Sequence, residues 1–292
     1  MTPKQALLEV KKQLEQAGVE DAAFDASCLL EYVAGKDWRW AVDTLSPEQC
    51  QQLEQLAARR AKREPLQYLL GQWPFLDFEL KVGPGVLIPR SDTERLCELA
   101  AERLTDIPEP KVLDLCAGSG CVGLGIRSLV PTAQVTCLEK SPLALEYLTH
   151  NCAHALGEQG ANPVEGDVFQ FQTQLQPQQW DCIVSNPPYI SAQEMKELEP
   201  ELAFEPEMAL EAEEQGLAFY QHIIPAYRFS LKPGGWMTVE IGYQQGNSVA
   251  DLFVRAGYEQ VQVHPDLAGL DRVVMARRPL EVEQAVEKIS GK

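Results

Sequence analysis

A chain of 292 residues is long for one compact domain and comfortable for a domain with a smaller accessory one. Its 45% hydrophobic and 23% charged residues are ordinary globular values, which argues against disordered and collagen-like classes. With 43 acidic against 25 basic side chains, the formal net charge of −18 argues against a protein that lives by neutralising phosphates, so no direct DNA binding is expected.

Residues 1–70 read as a small helical bundle with no obvious chemistry of its own. Met1-Thr2-Pro3-Lys4-Gln5 leads into a helix that carries polar residues throughout, not into a secretory signal. Ala6, Leu7, Val10 and Leu14 recur at helical spacing, as do Ala26, Leu29, Leu30 and Val33. A further helix opens at Ser46, with Pro47 at its first position and Gln49 completing a capping box. The basic run Arg59, Arg60, Lys62 and Arg63 reads as a solvated helix face. From Gly71 the period changes. Phe78, Leu80 and Val82 alternate, Gly83-Pro84-Gly85 turns the chain and Val86-Leu87-Ile88 follows, which predicts a β-hairpin linker over 71–90.

After Pro108 and Pro110, strands and helices alternate. Strands are expected at 111–115, 134–139, 181–185, 236–241, 260–264 and 272–276. Helices are expected at 122–129 and after Ser141-Pro142, and a turn at Lys232-Pro233-Gly234-Gly235. The alternation predicts an α/β fold, a doubly wound and mostly parallel sheet over 91–280. The tail, 281–292, is charged and weakly helical, and reads as peripheral. No apolar run approaches the roughly 18 residues that span a bilayer, so no membrane association is expected. Eight cysteines without a C-x-x-C pair, most of them in apolar stretches, are expected to be reduced thiols of a cytoplasmic protein.

Two constellations carry chemistry. The first is Asp114-Leu115-Cys116-Ala117-Gly118-Ser119-Gly120 at the end of the first sheet strand. Gly118 and Gly120 let the backbone approach a ligand where a Cβ would intrude. Glu139, at the end of the next strand, is placed to accept hydrogen bonds from both ribose hydroxyls of a nucleoside cofactor. Gly118, Gly120 and Gly123 also meet the dinucleotide spacing, so these residues support a dinucleotide and an S-adenosylmethionine site about equally. Asp114 suits a methionine ammonium group better than a pyrophosphate. Asp167, just past the expected third strand, either accepts from an adenine amine or caps a turn. Val168 beside it offers backbone polar groups and an apolar wall.

The second is Asn186-Pro187-Pro188-Tyr189 at the carboxyl end of the 181–185 strand, where ligands bind in open α/β sheets. Two prolines fix the backbone and remove two N–H donors. They present carbonyl acceptors beside the Asn186 oxygen, so a planar group with two N–H bonds finds two acceptors. Tyr189 offers a flat surface for stacking.

These residues resemble the amino-methyltransferase superfamily that acts on adenine, cytosine or amide nitrogens. Further segments are similar to bacterial release-factor glutamine methyltransferases: Val86-Leu87-Ile88-Pro89-Arg90-Ser91-Asp92-Thr93-Glu94, Phe204-Glu205-Pro206, Glu240-Ile241-Gly242-Tyr243-Gln244-Gln245 and Asp266-Leu267-Ala268-Gly269-Leu270-Asp271-Arg272-Val273-Val274. The resemblance runs along nearly the whole chain. It implies a Rossmann-like, seven-stranded class I S-adenosylmethionine methyltransferase domain behind an N-terminal helical substrate-recognition domain and a connecting hairpin. The implied reaction methylates N5 of the Gly-Gly-Gln glutamine of class I peptide-chain release factors, with S-adenosylhomocysteine as product and no metal. Asn186, Pro187 and Tyr189 would be catalytic, and with Pro188 would hold the substrate. Asp114, Cys116, Ala117, Gly118, Ser119, Gly120, Glu139, Asp167, Val168 and Asn186 would hold the cofactor.

Two departures stand out. Cys116 occupies a position where the family usually carries glycine, and Ala209-Leu210-Glu211-Ala212-Glu213-Glu214-Gln215-Gly216-Leu217 lacks the glycine pair common after Ala-Leu. Arg90 and Glu94 either shape the cofactor pocket or tie the hairpin to the sheet. A ribosomal-protein glutamine methyltransferase is the nearest alternative, and a nucleic-acid adenine N6-methyltransferase a more distant one. His150 and His154 have zinc-compatible spacing but lack the glutamate of H-E-x-x-H.

Overall fold

The computed structural model describes residues 1–40, 43–157 and 159–280; the tail expected at 281–292 lies outside them. Helices Pro3–Gln16, Ala22–Ala34, Pro47–Arg60 and Leu66–Leu70 pack into an N-terminal bundle around Leu14, Leu29, Leu30 and Leu53. The Ser46 capping box forms as the sequence predicts: Gln49 N donates to Ser46 Oγ at 3.2 Å and Ser46 N to Gln49 Oε1 at 2.9 Å.

The basic run is a solvated face only at Arg59 and Lys62. Arg60 is 7% exposed; its Nε donates to Asp25 Oδ2 at 2.6 Å and its Nη1 to Glu201 Oε1 at 2.9 Å. Arg63 Nη2 reaches the other Glu201 oxygen at 2.7 Å. Two of the four basic residues thus bind the bundle to a segment of the second half of the chain. Arg59 alone of the run pairs locally with an acid, through Glu64.

The hairpin also differs from expectation. Strand β1 (Gln72–Phe75) pairs antiparallel with β2 (Phe78–Lys81), so the turn lies at Leu76-Asp77, where Leu76 adopts φ 51°. Val86 and Ile88 are buried but form no strand. Their backbone groups find side-chain partners instead: Val86 O accepts from Tyr68 OH at 2.6 Å, and Ile88 N donates to Glu205 Oε2 at 2.8 Å. A buried backbone satisfied in that way needs no ladder.

Strands β3 (Lys111–Leu115), β4 (Gln134–Glu139), β5 (Asn162–Glu165), β6 (Trp180–Ser185), β7 (Leu231–Glu240), β8 (Glu259–Pro265) and β9 (Asp271–Arg277) form one sheet in the order β5-β4-β3-β6-β7-β9-β8. It is parallel from β5 to β7, and β9 runs antiparallel to both its neighbours. Strand β7 begins earlier than predicted and takes in Lys232-Pro233-Gly234-Gly235, because its pairing with β6 shifts register between Trp180 and Cys182.

Both faces of the sheet are covered, which is why its central strands read as continuous apolar runs. Leu96, Leu124 and Leu148, from helices Asp92–Glu102, Cys121–Leu129 and Pro142–His154, pack on one face. Tyr220, Ile223 and Phe253, from helices Ala218–Ala226 and Gly246–Arg255, pack on the other. Helices Asp92–Glu102, Ala218–Ala226 and Gly246–Arg255 have no counterpart among the predicted elements. Among the described residues no helix is long and apolar enough to cross a membrane.

The chain leaves β3 for β4 and β5 on one side, then returns to β6 on the other. That reversal opens a crevice at the carboxyl ends of β3 and β6, and Ser185 Oγ ties the two strand ends together by donating to Leu115 O at 2.7 Å.

Candidate active site

The crevice holds a cavity of about 280 Å³, near the lower end of the usual range of roughly 300–1,000 Å³ for small-molecule sites. The glycine loop forms its floor. Cys116, Gly118 and Gly120 adopt φ 59°, 55° and 86°. Cys116 therefore takes a conformation that glycine adopts without penalty, while its side chain packs into the core beneath. A Cβ on Gly118 would meet nothing within 4 Å, so that position faces open space beside the cavity. A Cβ on Gly120 would strike Leu148 at 2.7 Å, which makes that glycine a packing requirement.

Asp114 lies beneath the loop, fully buried and outside the cavity wall. Its Oδ2 accepts from Gly123 N at 2.9 Å and fixes the start of helix Cys121–Leu129; its Oδ1 has no partner among the described residues. Burial pushes its carboxyl up to about 7, against the pull of the Gly123 amide. Glu139 does reach the wall. Its Oε1 accepts from Lys140 N and Ser141 N at 2.9 and 2.7 Å, and its Oε2 from Gly118 N at 2.8 Å. One carboxylate thereby locks the β4 end to the loop, with Oε2 carrying a single amide.

Asp167 caps a turn and also lies on the cavity wall. Its Oδ1 caps the turn by accepting from Phe169 N at 2.9 Å, its Oδ2 pairs with Lys140 Nζ at 2.9 Å, and it still lines the cavity. Burial pushes its carboxyl up, but the Lys140 and Phe169 hydrogen bonds hold it below the usual range. Val168, Phe169 and Phe219 supply an apolar wall, the two rings 5.0 Å apart.

Asn186 and Pro188 line the cavity, whereas Pro187 and Tyr189 lie outside its wall. Asn186 Nδ2 donates to Thr93 Oγ1 at 3.2 Å. Among the described residues, Asn186 Oδ1 and the Pro187 carbonyl accept no hydrogen bond. The Tyr189 hydroxyl lies 3.5 Å from Glu240 Oε1, and its carbonyl accepts from Gln245 Nε2 at 3.0 Å. Ile190 exchanges hydrogen bonds with Leu210 O and Ala212 N, both at 2.9 Å, so the motif is braced by the segment 207–216.

Arg90 and Glu94 divide between their two readings. Arg90 lines the cavity and pairs with Glu205, whereas Glu94 Oε1 accepts from Leu76 N at 3.0 Å and ties the hairpin to the domain. Thr93 on the cavity wall and Glu205 behind it were not picked out singly in the sequence. Only the family-like segments that contain them pointed there. The His150 and His154 rings stack at 4.6 Å, and no group of side chains suited to a metal occurs among the described residues.

The cradle suits S-adenosylmethionine: a loop residue without Cβ beside the cavity, a carboxylate with spare accepting capacity, and an apolar wall. A seven-stranded sheet of this order with such a cradle defines a class I S-adenosylmethionine-dependent methyltransferase. The PrmC N-terminal domain profile matches residues 5–71 and the methyltransferase small domain profile residues 91–239. The release factor glutamine methyltransferase of Geobacter sulfurreducens is 38% identical over 95% of this chain and 99% of its own, and that of Salmonella typhimurium 39% identical over 87% and 91%. This chain belongs to the release factor glutamine methyltransferase family. A methyltransferase of Pyrococcus furiosus, 14% identical over 70% of this chain and 90% of its own with a TM-score of 0.50, shares the fold.

Proposed function

We propose that this protein methylates N5 of the glutamine in the Gly-Gly-Gln motif of class I peptide-chain release factors, in the cytoplasm. Two acceptors beside the cavity without a hydrogen-bond partner among the described residues, Asn186 Oδ1 and the Pro187 carbonyl, carry this reading. The likeness to release factor glutamine methyltransferases of Geobacter sulfurreducens and Salmonella typhimurium supports it. Eight free cysteines suit a reducing compartment.

S-Adenosylmethionine supplies an electrophilic methyl on its sulfonium. Gly118 would admit the cofactor to the loop, Glu139 would hold its ribose, and Asp167 with Val168 would flank its base. A glutamine amide nitrogen is a poor nucleophile because its lone pair is shared with the carbonyl. Asn186 Oδ1 and the Pro187 carbonyl accept its two N–H bonds and so favour the positive charge that develops on nitrogen. Holding the nitrogen in line is worth roughly 7–11 kcal/mol. The nitrogen then loses its proton to water. Tyr189 packs against the glutamine stem, and the bundle over 1–70 serves substrate recognition, with 71–90 as linker and 91–280 as the catalytic domain.

The test is to incubate the protein with S-adenosylmethionine and a bacterial release factor and map modified peptides by fragmentation mass spectrometry. One methyl on the Gly-Gly-Gln glutamine is expected. An unmodified release factor, with cofactor binding demonstrated, would overturn the substrate assignment.

A further inference from the structure

The acceptor motif ends on Tyr189, whose backbone is held by a side chain from another loop. Gln245 directly precedes helix Gly246–Arg255, and its carboxamide turns back toward the motif. Its Oε1 accepts from Gly242 N at 3.0 Å, and its Nε2 donates to Tyr189 O at 3.0 Å and to Gly216 O at 3.4 Å. A backbone N–H only donates and a carbonyl only accepts, so these three partners admit one orientation of the amide. Two glycines make room for it. A Cβ on Gly216 would sit 2.6 Å from Gln245 Nε2, and one on Gly242 would sit 3.2 Å from Gln245 Oε1. The carboxamide thus joins the end of the motif to the loop after β7 and to the segment before helix Ala218–Ala226.

We infer that Gln245 is a positioning residue for methyl transfer: it fixes the Tyr189 peptide and so keeps the Asn186 and Pro187 acceptors aimed at the substrate amide. Gln245 lies outside the cavity wall, so it acts through the motif and not on the cofactor. Prolines at 187 and 188 make the motif stiff, and a hold at its far end carries back to Asn186. With its carbonyl taken by Gln245, Tyr189 also offers no third acceptor to compete for the two N–H bonds. The inference rests on the amide-methylation reading, in which Asn186 Oδ1 and the Pro187 carbonyl receive those N–H bonds.

The test uses two substitutions of like length. Gln245→Met loses every polar contact. Gln245→Glu still accepts from Gly242 N but sets a carboxylate against two carbonyl oxygens. Both are expected to lower kcat about tenfold at a pH of about 8.5, the worth of one oriented hydrogen bond, with the affinity for S-adenosylmethionine within about threefold. The facing carbonyls favour the protonated form of the introduced carboxyl, which can donate to one of them again. The kcat of Gln245→Glu relative to wild type should therefore recover to within about threefold as pH falls to about 5.5, whereas that of Gln245→Met should not.

Hydrogen exchange at the Gly242 amide, followed by NMR, gives a readout without substrate: it should quicken in Gln245→Met and stay slow in Gln245→Glu. The inference is overturned by a kcat within about twofold of wild type in both variants, or by a loss matched in cofactor affinity. A Gln245→Glu to wild-type ratio independent of pH, or unchanged Gly242 exchange in Gln245→Met, would overturn it as well. If the wild-type protein leaves the release factor unmodified, the glutamine reading fails by itself, and Gly242 exchange still decides whether the carboxamide bridge is made.

Discussion

The Glu205 carboxylate accepts the Ile88 amide hydrogen at 2.8 Å across 117 residues of sequence, and its second oxygen pairs with Arg90 on the cavity wall. One buried side chain therefore joins the segment before helix Asp92–Glu102 to the segment 200–212 that borders the same cavity. Removing it strands a backbone N–H and a guanidinium together. Glu205→Ala is expected to cost about 2–4 kcal/mol in a denaturant melt and to weaken S-adenosylmethionine binding about tenfold by calorimetry. Glu205→Gln, which keeps one acceptor, should lose less in both.

In the proposed reaction, Asn186→Ala removes an acceptor of the reacting nitrogen that is not part of the glycine loop. Turnover should fall by about 10²–10³, the scale seen when one preorganised partner is lost from a transition state. The dissociation constant for S-adenosylmethionine should change by less than about threefold. Single-turnover methylation and equilibrium titration on the same preparation check both halves. Near-normal turnover would remove Asn186 from the mechanism.

Arg60 satisfies Asp25 inside the bundle and Glu201 outside it, and burial holds the Asp25 carboxyl above its ordinary range despite the guanidinium. Arg60→Met leaves that carboxyl buried without a cation and should cost about 3–5 kcal/mol. The double variant Asp25→Asn with Arg60→Met should recover at least half of the loss. Urea unfolding of the four proteins closes the cycle; simple additivity would mean the pair is not coupled.

Glu240 gives a pH signature. Burial pushes its carboxyl up to about 7, and Asp92 adds to this, against the pull of the Thr93 and Tyr189 hydroxyls and the charge of Arg272. A raised acid binds its proton more tightly when folded, so its contribution is present below the unfolded value and is lost as pH rises through about 7. Glu240→Gln lacks this term. Relative to wild type the variant should gain stability between about pH 5 and about pH 8, by an amount on the order of 3 kcal/mol. Parallel thermal melts that shift equally at both pH values would show that the group does not titrate in this window.

The segment after Ala209-Leu210 shows where its unusual sequence is paid in conformation. Ala212 is extended and buried, whereas the exposed Glu214 and Gln215 adopt φ 55° and 58°. Non-glycine residues rarely take that region. Glu214→Gly and Gln215→Gly should each be neutral or stabilise by up to about 1 kcal/mol. Gly216→Ala should do the reverse and also impair turnover, because a Cβ there would sit 2.2 Å from the Tyr189 carbonyl oxygen. Melting temperatures and turnover of the three variants test this.

Local pattern carried much of the fold and of the candidate site. Strands β3, β4 and β6 are short apolar runs because both faces of the sheet are covered, and the glycine loop and Asn186-Pro187-Pro188-Tyr189 are contiguous. What stayed hidden depends on partners far away in the chain. Arg60 looks solvated until Asp25 and Glu201, 35 and 141 residues distant, are brought to it. Gly83-Pro84-Gly85 has the composition of a hairpin turn, yet the chain reverses at Leu76-Asp77. Val86 and Ile88 are satisfied by Tyr68 and Glu205, which no local rule foretells. Asp114 looked ready to face a ligand, but the Gly123 amide draws one of its oxygens beneath the loop.

In the proposed reaction the cofactor loop and its flanks, from Cys116 to Asp167, lie at the ends of β3, β4 and β5, while Asn186 to Tyr189 and Glu240 to Gln245 lie at the ends of β6 and β7. The methyl must therefore cross the join between β3 and β6, where Leu115 stands opposite Ser185. A slip of one residue at that join would move donor and acceptor apart by about 3.3 Å, well beyond the roughly 1 Å that in-line transfer tolerates. Stiffness at this seam is thus a property of the reaction rate as well as of the fold. The same partition lets one bank of the crevice drift toward new acceptors while the other keeps its grip on an unchanged donor.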